Sequence, residues 1–305
     1  MKYGIREICD VVLRAKSKQV LGNRTFYKNE PVLYFDTLKT SSLEGAATTV
    51  YATGGRGNSR LIAWEGERTL TFTFEDALIS SEGLAILTGA GLIEAGEDKP
   101  IYVHTTSQVV VEGGKINLPE GVKACWNGLG VDDDLYHVNA DVFCMVLGTD
   151  GEVHAEPCVP AEVDNSGTYS VITCAADGKG DHKLADGDVV LVDYYVKKTG
   201  SAQQIEITAD KFAGNYYLEA STLFRRESDG MDMPAEFVIP NGKIQSNFNF
   251  AMAASGDPST FSFVMDAFPD YTKFDRTKKV LCVIQIITDV TGGDEESREP
   301  CEAGE

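Results

Sequence analysis

Four histidines, seven cysteines and a run of three aspartates are the residues of this 305-residue chain best suited to chemistry. His104, His137, His154 and His182 show no i, i+4 spacing, so the helical zinc-protease pattern is missing. His154 and Cys158 stand close enough to share a metal, but no second close pair supports them and a solvent-exposed turn is favoured. Asp132, Asp133 and Asp134 carry the charge of a calcium loop without its alternating order, which reads as a solvated turn. The cysteines at 9, 125, 144, 158, 174, 282 and 301 form no C-x-x-C pair. They read as buried thiols of a reducing compartment, Cys144 and Cys282 each lying within an apolar run. The G-x-S-x-G, P-loop and G-x-G-x-x-G patterns are all missing; Gly89-Ala90-Gly91 stops short of the last. Tyr216 and Tyr217, with Phe212 nearby, offer either a stacking platform or core packing, and core packing is favoured. No catalytic, cofactor-binding or metal-ligating residue nominates itself, and a non-enzymatic protein without cofactors is expected.

Charge narrows the partners. The chain has 47 acidic and 27 basic residues, a formal charge of -20 and a pI near 4.6. Such a surface repels a polyphosphate instead of exchanging its counterions. With 43% hydrophobic and 24% charged residues the composition is that of a globular chain. No apolar run reaches the roughly 20 residues that span a bilayer, and no signal pattern opens the sequence. Synthesis in a cytoplasm, without a membrane partner, is the expectation.

The elements that would position these residues are mostly strands. Ile5, Ile8, Val11, Val12 and Ala15 recur at three and four, which predicts a short amphipathic helix at the start. Residues 31–35 read as a strand. Residues 68–75 alternate strictly, with Leu70, Phe72 and Phe74 on a face to be buried and Thr69, Thr71 and Thr73 opposite. Ser80 followed by Ser81-Glu82 and closed by Gly89 predicts a capped helix. The runs 108–111, 142–147, 169–172 and 188–196, separated by Asp-Gly and Gly-Gly turns, predict a β-rich module inserted over 101–208. Residues 245–252 and 260–265 alternate again, placing Phe248, Phe250 and Met252, then Phe261, Phe263 and Met265, on buried faces of one antiparallel hairpin. A last strand is expected at 280–287. Residues 294–305 hold six acids and one arginine, a flexible tail.

Residues 38–60 are rich in small and flexible types. They form either a long loop or a long hairpin arm, since 48–53 has high strand propensity, and an arm projecting beyond its own core needs another subunit to cover it.

Three stretches together resemble the major tail tube proteins of long-tailed bacteriophages. The first is the arm followed by Gly57-Asn58-Ser59-Arg60-Leu61-Ile62-Ala63-Trp64 and the alternating strand with its helix. The second is Asp210-Lys211-Phe212-Ala213-Gly214-Asn215-Tyr216-Tyr217. The third is Phe237-Val238-Ile239-Pro240, then Ser255-Gly256-Asp257-Pro258-Ser259-Thr260-Phe261. The resemblance covers 25–95 and 209–290, while the middle module departs from the family's plainest form. It implies six copies per ring, rings stacked into a hollow tail tube, and double-stranded DNA passing through without tight binding. It also implies a virion location after assembly in the host cytoplasm, with the chain itself as main partner and tail sheath, terminator and baseplate proteins as further ones.

The expected fold is mainly β: an antiparallel β-sandwich or partial barrel with one short flanking helix, a long projecting hairpin arm and an inserted β-rich module. The core would be discontinuous, 1–100 plus 209–290, followed by a tail at 291–305. Inter-subunit arm candidates are Thr40, Ser41, Gly45, Thr49, Tyr51, Gly54, Arg56, Asn58 and Arg60, an ordinary surface loop being the alternative. Lumen-facing candidates are Thr69, Thr71, Thr73, Asn247, Asn249 and Ser262, for which simple solvent exposure competes evenly. A capsid decoration or virion-surface protein with Ig-like modules is the second reading of the whole.

Overall fold

A computed structural model describes residues 2–126, 141–148, 151–153, 160–174, 184–249 and 260–288. The expectations for Asp132–134, for the histidines at 137, 154 and 182, for Phe250 and Met252 and for the acidic tail lie outside these residues. The chain divides into two compact units, Met1–Ile93 with Ile205–Glu305, and Glu94–Gln204.

The first unit begins with strands β1 (Tyr3–Ile5), β2 (Asp10–Ala15), β3 (Gln19–Leu21), β4 (Arg24–Phe26) and β5 (Pro31–Phe35). The initial helix is therefore a misreading. Val11, Leu13 and Ala15 are fully buried while Ile5 and Ile8 of the supposed helical stripe are exposed. The governing period is two, and ladders on both sides of β2 override the local spacing.

Two long strands follow, β6 (Leu38–Gly54) and β7 (Ser59–Asp76), then α1 (Ser81–Thr88) and β8 (Gly91–Glu94). Helix α1 starts where Ser80 accepts a hydrogen bond from the Gly83 amide at 2.9 Å, and it stops at Gly89 in the left-handed conformation, φ 68°. A Cβ at Gly89 would lie 2.1 Å from the Phe212 carbonyl carbon, so only glycine fits.

The second unit supplies β9 (Ile101–Val110), β10 (Ile116–Asn117), β11 (Val142–Leu147), β12 (Pro160–Asp164), β13 (Val171–Cys174) and β14 (Val189–Lys198). These build two three-stranded sheets, β11-β14-β9 and β10-β13-β12, around one core that includes Cys144, Val192, Ile172 and Tyr194. The Tyr194 hydroxyl meets the Ser107 hydroxyl at 2.8 Å, so the largest core side chain buries no unsatisfied oxygen.

The chain then forms β15 (Gln203–Glu206), paired with β8, and β16 (Asn215–Arg226), β17 (Asp232–Ile244), β18 (Phe261–Ala267) and β19 (Val283–Ile286). The main sheet runs β5-β2-β16-β17-β18-β7-β6, with β1 added to β16 and β19 to β17. All its named pairings are antiparallel. Phe35 of β5 contacts Phe74 of β7 and Phe263 of β18 at 5.0 and 4.9 Å, so the sheet curls over its own core. Thr37 and Asp76 close the seam through a 2.5 Å hydrogen bond.

The alternation at 70–74 and 261–265 is realised, with Phe72, Phe74, Phe263 and Met265 buried. The stretch at 245–249 departs from expectation: β17 ends at Ile244, and Asn247, Phe248 and Asn249 are exposed outside any strand. The Gln245 amide still donates to Val264, after which the Ser246 hydroxyl accepts from the Ala213 amide and the ladder is abandoned. Among the described residues no helix is long and apolar enough to cross a membrane.

Candidate functional site

Strands β6 and β7 form an antiparallel hairpin in register from Leu38 opposite Asp76 to Gly54 opposite Ser59. Its base belongs to the core: Leu38 is buried, Leu43 faces Phe72, and the Ser41 hydroxyl accepts from the Cys9 amide at 3.1 Å. Support ends near Gly45 and Leu70. Residues 44–51 and 55–69 are exposed throughout, and the strands continue as a bare two-stranded ribbon. A hairpin of this kind is only marginally stable in water unless its face is covered.

Three register shifts shape the ribbon, at Lys39, near Gly66 and at Leu61. At the second, the Glu67 amide donates to the Thr48 hydroxyl at 2.9 Å, and a Cβ on Gly66 would sit 2.6 Å from that oxygen. The turn from Gly54 to Ser59 needs three residues with positive φ, Gly55, Gly57 and Asn58.

The two faces of the distal ribbon differ in chemistry. Val50 pairs with Trp64 and Ala52 with Ile62, so these share one face; Thr49, Tyr51 and Thr53 share the other with Glu65, Ala63 and Arg60. The first face is apolar and open to solvent, with Val50 63%, Ile62 55% and Trp64 53% exposed. On the second, the Arg60 guanidinium lies 4.1 Å over the Tyr51 ring. Of the arm candidates, Thr49, Tyr51 and Arg60 thus cluster on the polar face, Gly54, Arg56 and Asn58 make the turn, and Thr40, Ser41 and Gly45 belong to the base. The apolar residues Val50, Ile62 and Trp64 were missed. The extra residue Leu61 turns an alternation into the run Leu61-Ile62-Ala63-Trp64, which hides the face.

β6 is also the outer edge of the main sheet. Among the described residues β7 is its sole strand partner, and its 17 residues include two charges, Lys39 and Glu44, and no proline. Edge strands kept from pairing with other chains usually carry such guards.

Opposite the core, β7 and β18 present Thr71, Thr73 and Glu75 beside Ser262, Val264 and Asp266, with Ser42 and Glu44 of β6 alongside. The Thr71 hydroxyl donates to Asp266 at 3.1 Å and the Gln245 side chain to its other oxygen at 2.9 Å. Thr71, Thr73 and Ser262 therefore share a hydroxyl-and-carboxylate face, Thr69 lies farther out opposite Ala46, and Asn247 and Asn249 stand apart past the end of β17.

Elsewhere, Tyr216 and Cys282 are set into packing. Tyr216 is buried in the core, which pushes its hydroxyl up to about 12, and burial raises the Cys282 thiol to about 11. Among the described residues no three His, Cys, Asp or Glu side chains gather as a metal site. What the surface offers is docking: a sheet edge and a one-sided apolar ribbon.

The comparison with curated proteins finds no match. A family model matches residues 5–121 and 161–280, more than three quarters of the chain, taking in the whole arm, the curled sheet without β1 and β19, and strands of the second unit on either side of 122–160. With a match of that extent, the chain belongs to the YomU/Tube protein family.

Proposed function

We propose that this chain is a non-catalytic tube subunit of a phage tail or related tail-like particle. Six copies form a ring, rings stack into a hollow tube, and double-stranded DNA passes through the bore. The observation that carries this reading is the ribbon from Ala46 to Thr69, which has no cover among the described residues of its own chain and one apolar face. A patch of that kind marks an interaction surface, and the β6 edge, without charge or proline from Gly45 to Gly54, supplies backbone groups for a strand of a neighbouring copy.

The hydroxyl-and-carboxylate face of β7 and β18 suits the bore. Threonine and serine keep a strand wet without cations, and Glu44, Glu75 and Asp266 repel phosphate, so DNA is guided without being held. Sheath, terminator and baseplate proteins would meet the tube from outside and at its ends.

Negative-stain microscopy of the concentrated protein tests the reading: rings and stacked tubes with an open centre are expected. Monomers persisting at high concentration, under several salt conditions, would overturn it.

A further inference from the structure

The main unit carries a preformed trough with the chemistry to receive the arm. It measures about 590 Å³ and lies on the outer side of β16 and β17, with Tyr217, Glu219 and Glu236 among the residues lining it. β19 forms one wall. The other is the loop 271–279, closed by paired backbone bonds between Asp270 and Val280 at 3.1 and 2.9 Å. Lys16 ties the loop down through Asp270 at 2.6 Å, and Lys273 does so through Glu219 at 3.5 Å. Walls fixed in advance lose little freedom when a ligand enters.

Two features of the trough are unsatisfied. Its rim is apolar and open, with Phe274 88% and Ile284 53% exposed. Its carboxylates are also unequally served. Glu219 takes Arg14 at 2.7 Å as well as Lys273, whereas Glu236, half-buried beside it, has no cation within ion-pair distance among the described residues. Burial, and then the charge of Glu219, raise the Glu236 carboxyl above its ordinary range, and the more distant Arg14 and Lys273 offset only part of this. Lys278 also lines the trough but forms no ion pair with Glu236, so the Glu236 end favours an incoming cation flanked by apolar groups.

The arm presents that combination. Arg56 stands at the tip of the turn between Gly55 and Gly57, exposed and without an ion pair among the described residues, and Ile62 and Trp64 follow on the apolar face. We infer that the arm tip of one copy seats in the trough of a second copy, Arg56 pairing with Glu236 while Ile62 and Trp64 cover Phe274 and Ile284. The inference rests on the self-assembly reading and adds to it the acceptor site and the pairing.

Charge reversal tests it on the full-length protein, the concentration at which tubes appear being the readout. Arg56→Glu and Glu236→Arg should each raise that concentration about tenfold or more, and the double variant should recover most of the loss. Single variants that assemble at the unmodified protein's concentration, or a double variant no better than either single one, would overturn the acceptor site while leaving the tube reading intact. An unmodified protein that forms no tubes would remove the tube reading itself.

A crosslinking arm covers the case in which Glu236→Arg fails to fold. Gln285 lines the same trough, exposed and opposite Glu236, so a Ser59→Cys/Gln285→Cys variant treated with a bismaleimide should yield covalent dimers that are missing from Ser59→Cys alone. Dimers that persist without the Gln285→Cys change, or their absence from assembled tubes, would overturn the pairing.

Discussion

Phe74 stacks on Phe263 with centroids 5.0 Å apart and planes 3° from parallel, and Phe35 meets both edge-on. Three strands that are far apart in sequence are joined by these rings. Phe74→Ala should cost about 3–5 kcal/mol, since none of the surrounding strands can collapse into the space, and a denaturant titration measures it. A second residue-scale prediction concerns acid. Lys16, then the Tyr271 backbone amide and, least, Lys279 hold Asp270 below the usual carboxylate range against the opposing effect of burial. A carboxyl lowered in the folded state contributes stability that is complete above its unfolded value and is lost as pH falls through the folded one. Amide protection factors in 271–279, taken relative to the intrinsic exchange rate at each pH, should therefore fall on acidification below the ordinary aspartate range. In Lys16→Met the exchange should already be fast at neutral pH, with a flatter profile. The Phe72, Phe74 and Phe263 core was legible as period-two alternation. Glu236 was not, because its meaning depends on Glu219 across the β16–β17 ladder and on a loop closing over both.

Scale changes what the sequence can reveal about an element. α1 was readable because its cap, Ser80, and its stop, Gly89, act within a few residues. β2 was misread because Val11, Leu13 and Ala15 are held by partners some 20 and 200 positions away, while Val11 and Ala15 also fit a spacing of three and four with Ile5, Ile8 and Val12. The arm was half legible: strand propensity pointed to a hairpin, but the bulge at Leu61 concealed which face is apolar. The structure also shows where the arm can be cut. Gly45 lies opposite Leu70, so replacing residues 46–69 with Asn-Gly closes the hairpin by a short turn at that pair. The excised residues are exposed apart from the half-buried Ala52 and Gly54, and the shortened subunit should keep its unfolding free energy to within about 0.5 kcal/mol. It should fail to form tubes when imaged beside the full-length protein, and tubes of ordinary length from it would deny the arm any part in assembly.

At the scale of the whole molecule the decisive fact is that two separate cores serve one chain. The curled sheet buries Leu13, Leu218 and Ile239, while the second unit buries Ile116, Cys144 and Val192 in a cluster of its own. The second unit is held at its base by a backbone bond from the Ala95 amide to the Ala202 carbonyl at 2.9 Å, so its two ends lie within reach of a few residues of linker. Replacing 96–201 with a short glycine-serine linker should leave the arm, the trough and the β6 edge in place. If tube formation depends on those features, the shortened protein should unfold in one cooperative transition and still assemble into tubes. A folded but permanently monomeric product would mean that the second unit supplies a contact the ring needs.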